Sequence, residues 1–389
     1  MTRTTGRYET TVSGGERVQA FVPFPLPPEA PPLVLDGRLV TRLRTAEDAL
    51  ARLDLAGQIV PSLEWFLYGF VRKEAVLTSQ IEGTQATLMD LLTFEAEPGA
   101  TPGPDVEEIC NYLEALRYAR AELARADGLP LSMRLLNEAH GRLMRGVRGA
   151  GRQPGTVRRS QNWIGGSRPG NAAHVPPPAP RLPDLLGDLE RYLHRGEDLP
   201  ALVRVGLAHV QFETIHPYLD GNGRIGRLLI ALLLEHWRLL RAPLLYLSLF
   251  FRRRQAEYYR RLNAVRTDGD WEGWTDFFLD GVAAVAEEAA TAARDLSTLV
   301  ARDRASVLAQ PTSSVAAARL FEFLPAHPIV TVAGSMDHIG TTKPTATRAI
   351  ETLMSAGVLV EITGRKRDRR FAYDGYLRLL RAGTELNPD

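Results

Sequence analysis

"HPYLDGNGRIGR" spans residues 216–227, and its reading decides the fold. It joins a proton acceptor, a carboxylate, a turn with few side chains and two arginines. Pro217 disfavours helical backbone at the residue before it, so a helix through "VQFETI" should stop at His216. That leaves the imidazole at a helix–loop junction, where a ring titrating near pH 7 can take a proton from a hydroxyl. Gly221, Asn222 and Gly223 read as a turn whose backbone amides converge on an anion. The apolar run from Ile225 reads as a helix, and its opening amides and dipole point to the same place. Arg224 and Arg227 share a face in the first turn of that helix and both reach phosphate oxygens. Asp220 would repel a bare phosphate. A divalent cation removes the conflict, and Mg²⁺ takes one or two carboxylates together with phosphate oxygens. The residues therefore point to a magnesium-complexed polyphosphate held beside a base. A zinc site from His209, His216 and Asp220 is the competing reading, without further ligand spacing to support it. The chain has neither a G-x-x-x-x-G-K-[ST] phosphate loop nor a protein-kinase signature set.

The rest of the composition narrows the setting. A chain of 389 residues exceeds one ordinary core and suits two or three domains. Lysine plus arginine number 47 against 46 acids, so no global field favours nucleic acid, and any such preference must be local. Cys110 is the only cysteine, which rules out an intrachain disulfide and makes a reducing cytoplasm the expected location. The N-terminal stretch lacks an apolar signal core. The longest apolar run, "LLIALLLEHW" from Leu228, meets Glu235 too soon to span a bilayer, so no membrane partner is expected.

Outward from the motif, residues 1 to about 40 are rich in Pro, Gly and Thr and read as extended. Helical periodicity starts near Thr45, a candidate N-cap, and runs to a stop at Gly83. "EAEPGATPGPD" is a break. After it, Val106, Ile109, Cys110, Leu113 and Leu116 mark an amphipathic helix. Ser132 reads as the cap of the next one. Residues 155–178, "GTVRRSQNWIGGSRPGNAAHVPPP", lack helical period and read as a short hairpin. Helices resume on both sides of the motif. From about residue 313, three helices and a two-stranded basic wing follow in the order of a winged helix-turn-helix.

His216, Tyr218, Asp220, Gly221, Asn222, Gly223, Arg224 and Arg227 together resemble the Fic-domain signature H-x-F/Y-x-D/E-G-N-G-R-x-x-R. The resemblance implies a mostly α fold: a helical core with a β-hairpin flap, plus the C-terminal winged helix. It implies an enzyme that transfers AMP from ATP onto a Ser, Thr or Tyr hydroxyl of a protein, itself included. His216 would be the general base and Asp220 the holder of Mg²⁺. Asn222 and the Gly221–Gly223 amides would seat the α- and β-phosphates with Arg224, and Arg227 would hold the γ-phosphate. The 155–178 stretch would be the flap that aligns the protein substrate. "LSLFFRRRQAEYY" (247–259) would wall the adenine, with Arg254 and Gln255 where the family often carries Asn-Arg. "TSQIEGT" (78–84) resembles the family's inhibitory [S/T]-x-x-x-E-[G/N], so Glu82 would pair with Arg227 and keep the γ-phosphate out of place. Gly223 favours nucleotidyl transfer, because relatives that phosphorylate tend to carry lysine there.

The expected domains are 1–104 with an inhibitory helix at about 74–83, a core at 105–300, and a winged helix at 301–389. Removal of AMP and transfer of another nucleotide remain alternatives. So does a DNA-binding regulator using Lys343, Thr345, Thr347 and Arg348 on one helix and Arg365, Lys366, Arg367, Arg369 and Arg370 on the wing. The C-terminal module also leaves room for a homodimer.

Overall fold

The computed structural model describes residues 3–59, 62–97, 99–146, 151–195, 199–365 and 367–386. The chain opens with an antiparallel hairpin of β1 (Gly6–Ser13) and β2 (Glu16–Pro23), paired from Gly6↔Pro23 to Ser13↔Glu16. Its turn is Gly14–Gly15, with φ of 58° and 82°. Both values suit a two-residue hairpin turn that matches the strand twist. This hairpin lies where an extended Pro/Gly stretch was expected. The period-2 run "RYETTV–GG–RVQAFV" was its signal.

Helices follow: α1 (Gly37–Ile59), α2 (Leu63–Ile81), α3 (Leu88–Glu95), α4 (Pro104–Ala124) and α5 (Met133–Leu143). After the flap stretch come α6 (Leu182–His194), α7 (Ala201–Ile215), α8 (Asn222–His236), α9 (Ser248–Arg253), α10 (Gln255–Asp268) and α11 (Trp271–Leu308). The C-terminal elements are α12 (Val315–Phe323), β3 (Ile329–Thr331), α13 (Val332–Ile339), α14 (Lys343–Ser355), β4 (Leu359–Glu361), β5 (Arg370–Tyr373) and α15 (Asp374–Arg381). None of these helices is long and apolar enough to cross a membrane.

The caps decide several boundaries. Ser132 caps α5 as expected, its side chain accepting the Leu135 N–H at 3.3 Å. Glu82 closes α2 and Gly83 follows at φ 94°, also as expected. Thr45 is not a cap. Helix α1 starts eight residues earlier, where Asp36 Oδ1 accepts the Leu39 N–H at 2.8 Å. Asp36 is the stronger acceptor for those orphan amides, and Thr45 instead returns its hydroxyl to the Thr41 carbonyl at 3.0 Å.

By compactness the chain forms two units, each built from separated stretches. The first holds residues 1–51, 110–243 and 250–286. At its centre α7 is buried on nearly every side, as a helix apolar all round must be. Gly206 on α7 lets α11 approach closely; a Cβ there would lie 2.9 Å from a Phe278 ring carbon. Trp274 Nε1 donates to the Gly206 carbonyl at 2.9 Å across the same contact.

The second unit holds residues 52–109, 244–249 and 287–389. In it α15 packs on α2, where Gly69 makes room for Leu380. The three helices α12–α14 stand with a three-stranded antiparallel sheet in the order β3-β5-β4. This is the element order of a winged helix, with one strand (β3) more than the sequence pattern suggested. On the wing, Arg365 and Arg367 are exposed, Arg369 lies over the Phe371 ring at 5.3 Å and Arg370 pairs with Glu97. Lys366 lies outside the described residues.

Candidate active site

The junction of α7 and α8 places the motif. His216 caps α7 in the left-handed region, φ 50° and ψ 64°, with its N–H donating to the Phe212 carbonyl at 2.9 Å. The helix does stop at His216. A non-glycine residue held in this conformation costs about 1–2 kcal/mol, so its surroundings must hold it there.

The holding begins two residues on. Asn222 Oδ1 accepts the Tyr218 N–H at 2.8 Å, and Asn222 Nδ2 donates to the Tyr218 carbonyl at 2.8 Å. The Tyr218 ring is buried against the His140 imidazole, centroids 3.9 Å apart and nearly parallel. Its hydroxyl donates to Asn137 Oδ1 at 2.8 Å. His140 in turn fixes the loop. Its Nδ1 accepts the Gly155 N–H at 2.9 Å, so Nε2 carries the proton and donates to the Asp220 carbonyl at 3.0 Å. This is the neutral form, and burial pushes the His140 pKa down to about 4.

Helix α8 then starts at Asn222, three residues earlier than Ile225, after Gly221 at φ 75°. Arg224 therefore lies in its first turn and Arg227 in its second, still on one face. Both guanidinium-bearing residues are buried, at 4% and 3% exposure. Arg224 Nη2 lies 4.0 Å from Asp220 Oδ1. The opening amides of α8 have no carbonyl one turn back to receive them, so they and the dipole favour an anion. The Asn222 side chain is committed to Tyr218, so only its backbone remains to meet phosphate.

Asp220 fits a divalent cation. Its Oδ1 accepts the Gly221 N–H at 2.7 Å, the side chain is partly exposed, and Oδ2 has no protein partner among the described residues. One open carboxylate oxygen beside an anion seat is the donor set Mg²⁺ takes with phosphates. The zinc alternative loses its first ligand. His209 is fully buried, with Nδ1 3.0 Å from the Gly226 carbonyl and Nε2 2.8 Å from the Tyr258 hydroxyl. Burial lowers its pKa to about 3. It is a core histidine.

The flap stretch is less regular than a hairpin. Its ladder is one bridge, Ile164↔His174, with bonds of 2.8 and 3.1 Å around Gly165 and Gly166. Longer-range bonds secure it. The Phe21 N–H of β2 donates to the Val175 carbonyl at 2.9 Å, Asn162 Nδ2 to the Tyr218 carbonyl at 3.0 Å, and Arg158 to the His216 carbonyl at 2.9 Å. Arg158, His140 and Asn162 thus belong to the site although the sequence pattern did not single them out. The only available signal was their position in non-periodic sequence or on a helix face. In the stretch 247–259, Arg254 pairs with Asp280 at 3.2 Å. Glu82 belongs to the second unit, where it is exposed at the end of α2 with its N–H donating to the Ser79 carbonyl at 3.0 Å.

Residues 40–121 match the family model "Fic/DOC family N-terminal" and residues 130–234 the model "Fic/DOC family". A protein adenylyltransferase Fic of Drosophila erecta is 29% identical over 206 residues, covering 51% of this chain and 38% of the relative. That of Drosophila ananassae is 27% identical over 256 residues, covering 63% and 46%. The chain thus spans less than half the length of these curated relatives. A Fic family protein from Desulfovibrio desulfuricans G20 shares the fold with a TM-score of 0.56 at 23% identity, covering 88% of this chain and 98% of that one. Fic-1 of C. elegans (residues 134–508) does so at 0.51 and 22%, covering 66% and 73%.

Proposed function

The chain belongs to the Fic/DOC family, and from that premise we propose that it transfers AMP from ATP to a hydroxyl side chain of a protein, its own chain included. The hydroxyl oxygen attacks the α-phosphorus, the bond from that phosphorus to the bridging oxygen of the β-phosphate breaks, and pyrophosphate leaves. His216 takes the hydroxyl proton. The opening amides of α8 and Arg224 bind the α- and β-phosphates, and Arg227 the γ-phosphate. Asp220 would hold Mg²⁺, which neutralises charge on the phosphates. The observation that carries this reading is the α7–α8 junction: it sets a left-handed histidine beside an anion-seating helix start with two buried arginines on one face. The family relatives named adenylyltransferases support the same chemistry.

The proposal extends to a brake. Glu82 would pair with Arg227 and take the place of the γ-phosphate. The Thr78-x-x-x-Glu82-Gly83 motif at the end of α2 supports it. Incubation with Mg²⁺ and ATP labelled at the α or the γ position, followed by intact mass, tests the reaction class. A gain of AMP is expected, and a gain of phosphate alone would overturn it.

A second reading concerns the C-terminal module, which we propose as a DNA contact. Lys343 and Arg348 are exposed on α14, as are Arg365 and Arg367 on the wing. Such a patch binds phosphates with a salt-dependent affinity. A gel-shift titration over a salt series decides it: loss of binding with salt is expected, and no binding at low salt would end it.

A further inference from the structure

Arg158 stands at the root of the flap and is 2% exposed, yet no carboxylate pairs with it among the described residues. Its partners are carbonyl oxygens. Nε donates to His216 at 2.9 Å, Nη1 to Ser160 at 3.1 Å and Nη2 to Pro177 at 2.7 Å, with Ile215 at a long 3.5 Å. Its backbone N–H donates to the Pro217 carbonyl at 2.9 Å. These acceptors fall in two groups. Ile215, His216 and Pro217 are the last carbonyls of α7 and the start of the catalytic loop. Ser160 and Pro177 are the outgoing and returning roots of the flap.

Burying an unpaired cation is expensive, so the position needs a physical reason. Helix α7 supplies one. It has no basic residue in its own last turn, while its terminal carbonyls need donors and its dipole is negative there. The guanidinium is the one side chain whose planar fork can meet several fixed acceptors at once. Burial lowers its pKa to about 10, which still leaves it charged at neutral pH. His216 sits in left-handed backbone ahead of a proline. The bond from Nε to its carbonyl fixes the peptide plane from which the imidazole projects.

We infer that Arg158 is a positioning residue for AMP transfer: one guanidinium sets the orientation of the His216 base and ties it to the two roots of the flap that presents the acceptor hydroxyl. The inference rests on the reading of His216 as base. It assigns Arg158 no contact with nucleotide, so the residue governs turnover and not ATP affinity. Lysine keeps the charge but cannot reproduce the fork, so it does not restore the geometry.

The test compares wild type, Arg158→Lys and Arg158→Gln in the full chain, each also carrying Glu82→Gly to raise the signal. The expected result is a kcat lower by about 10²-fold, as for a misplacement of about 1 Å. KM for ATP should stay within roughly threefold, the pattern of an interaction made only in the transition state. Side-chain NMR of labelled histidines, assigned with His216→Ala, supplies a readout that needs no activity. The His216 imidazole signals should move in both Arg158 variants while those of buried His209 stay. Unchanged kcat with unchanged His216 signals would overturn the inference. So would failure of both variants to fold, which would make Arg158 a structural cap alone. If the Arg158-intact protein transfers no AMP while the His216 signals still respond to Arg158, the transfer reading fails and the positioning stands.

Discussion

The motif loop at 216–227 and the flap at 155–178 share one unit and converge on His216, but they differ in their local clamps. Besides the bonds it receives from His140, Arg158 and Asn162, the loop carries clamps of its own: Asn222 holds the backbone of Tyr218 four residues earlier, and Asp220 accepts from its neighbour Gly221. The flap has one bridge of its own and is held by residues far away in sequence, Phe21, Tyr218 and His216 among them. On the proposed function, the base and the phosphate seat lie in contiguous residues. The segment proposed to receive the protein substrate borrows rigidity from elsewhere.

The first way to break this contrast is to remove the base. His216→Ala should lower AMP transfer by about 10²–10⁴-fold, the usual worth of a general base. Initial rates with α-labelled ATP give the answer, and a near-normal rate would move the chemistry out of the loop. Glu82→Gly should act in the opposite direction, raising transfer by about 10²-fold if the misplaced phosphate is what limits the resting protein. No gain in the same assay would remove the brake.

The pH profile sharpens the contrast through His140, which links the loop to the flap root at Gly155. Its folded-state pKa, about 4, lies below the ordinary 6.5. The unfolded chain therefore binds the extra proton first. The stability this neutral histidine contributes is fully present above pH 6.5 and is lost as pH falls from 6.5 towards 4. The full loss amounts to about 3 kcal/mol. Urea unfolding at pH 7, 6 and 5 should show it, and His140→Gln should flatten the slope. An unchanged slope in that variant would mean that another group sets the acid limit.

The smallest effects compare the two amides directly. Asn222→Ala leaves two buried backbone groups of Tyr218 unsatisfied and should cost about 2–3 kcal/mol. Asn162→Ala loses one partly buried bond to the same residue and should cost about 1 kcal/mol. Equal costs in denaturant unfolding would show that the flap is bound as firmly as the loop.

Much of this was legible in the sequence because it is local. Pro217 announced the helix end, Gly83 and Ser132 announced their boundaries, and the signature residues announced the family. The missed features depend on distance or on competing caps. The N-terminal hairpin hid behind a proline-rich composition, and Asp36 captured a helix start assigned to Thr45. Helix α8 reaches back to Asn222 because Gly221 can adopt the left-handed cap, so the Gly-Asn-Gly turn is half helix. Arg158 and His140 carry no pattern at all. Their meaning lies in which carbonyls the fold brings to them.

The most direct test of the central claim is a crystal of the His216→Ala, Glu82→Gly double variant grown with ATP and Mg²⁺. The triphosphate is expected against the opening amides of α8, with Arg224 and Arg227 on its oxygens, the cation on Asp220 and the α-phosphorus facing position 216. Nucleotide bound elsewhere in the unit, with the start of α8 making no contact to phosphate, would contradict it.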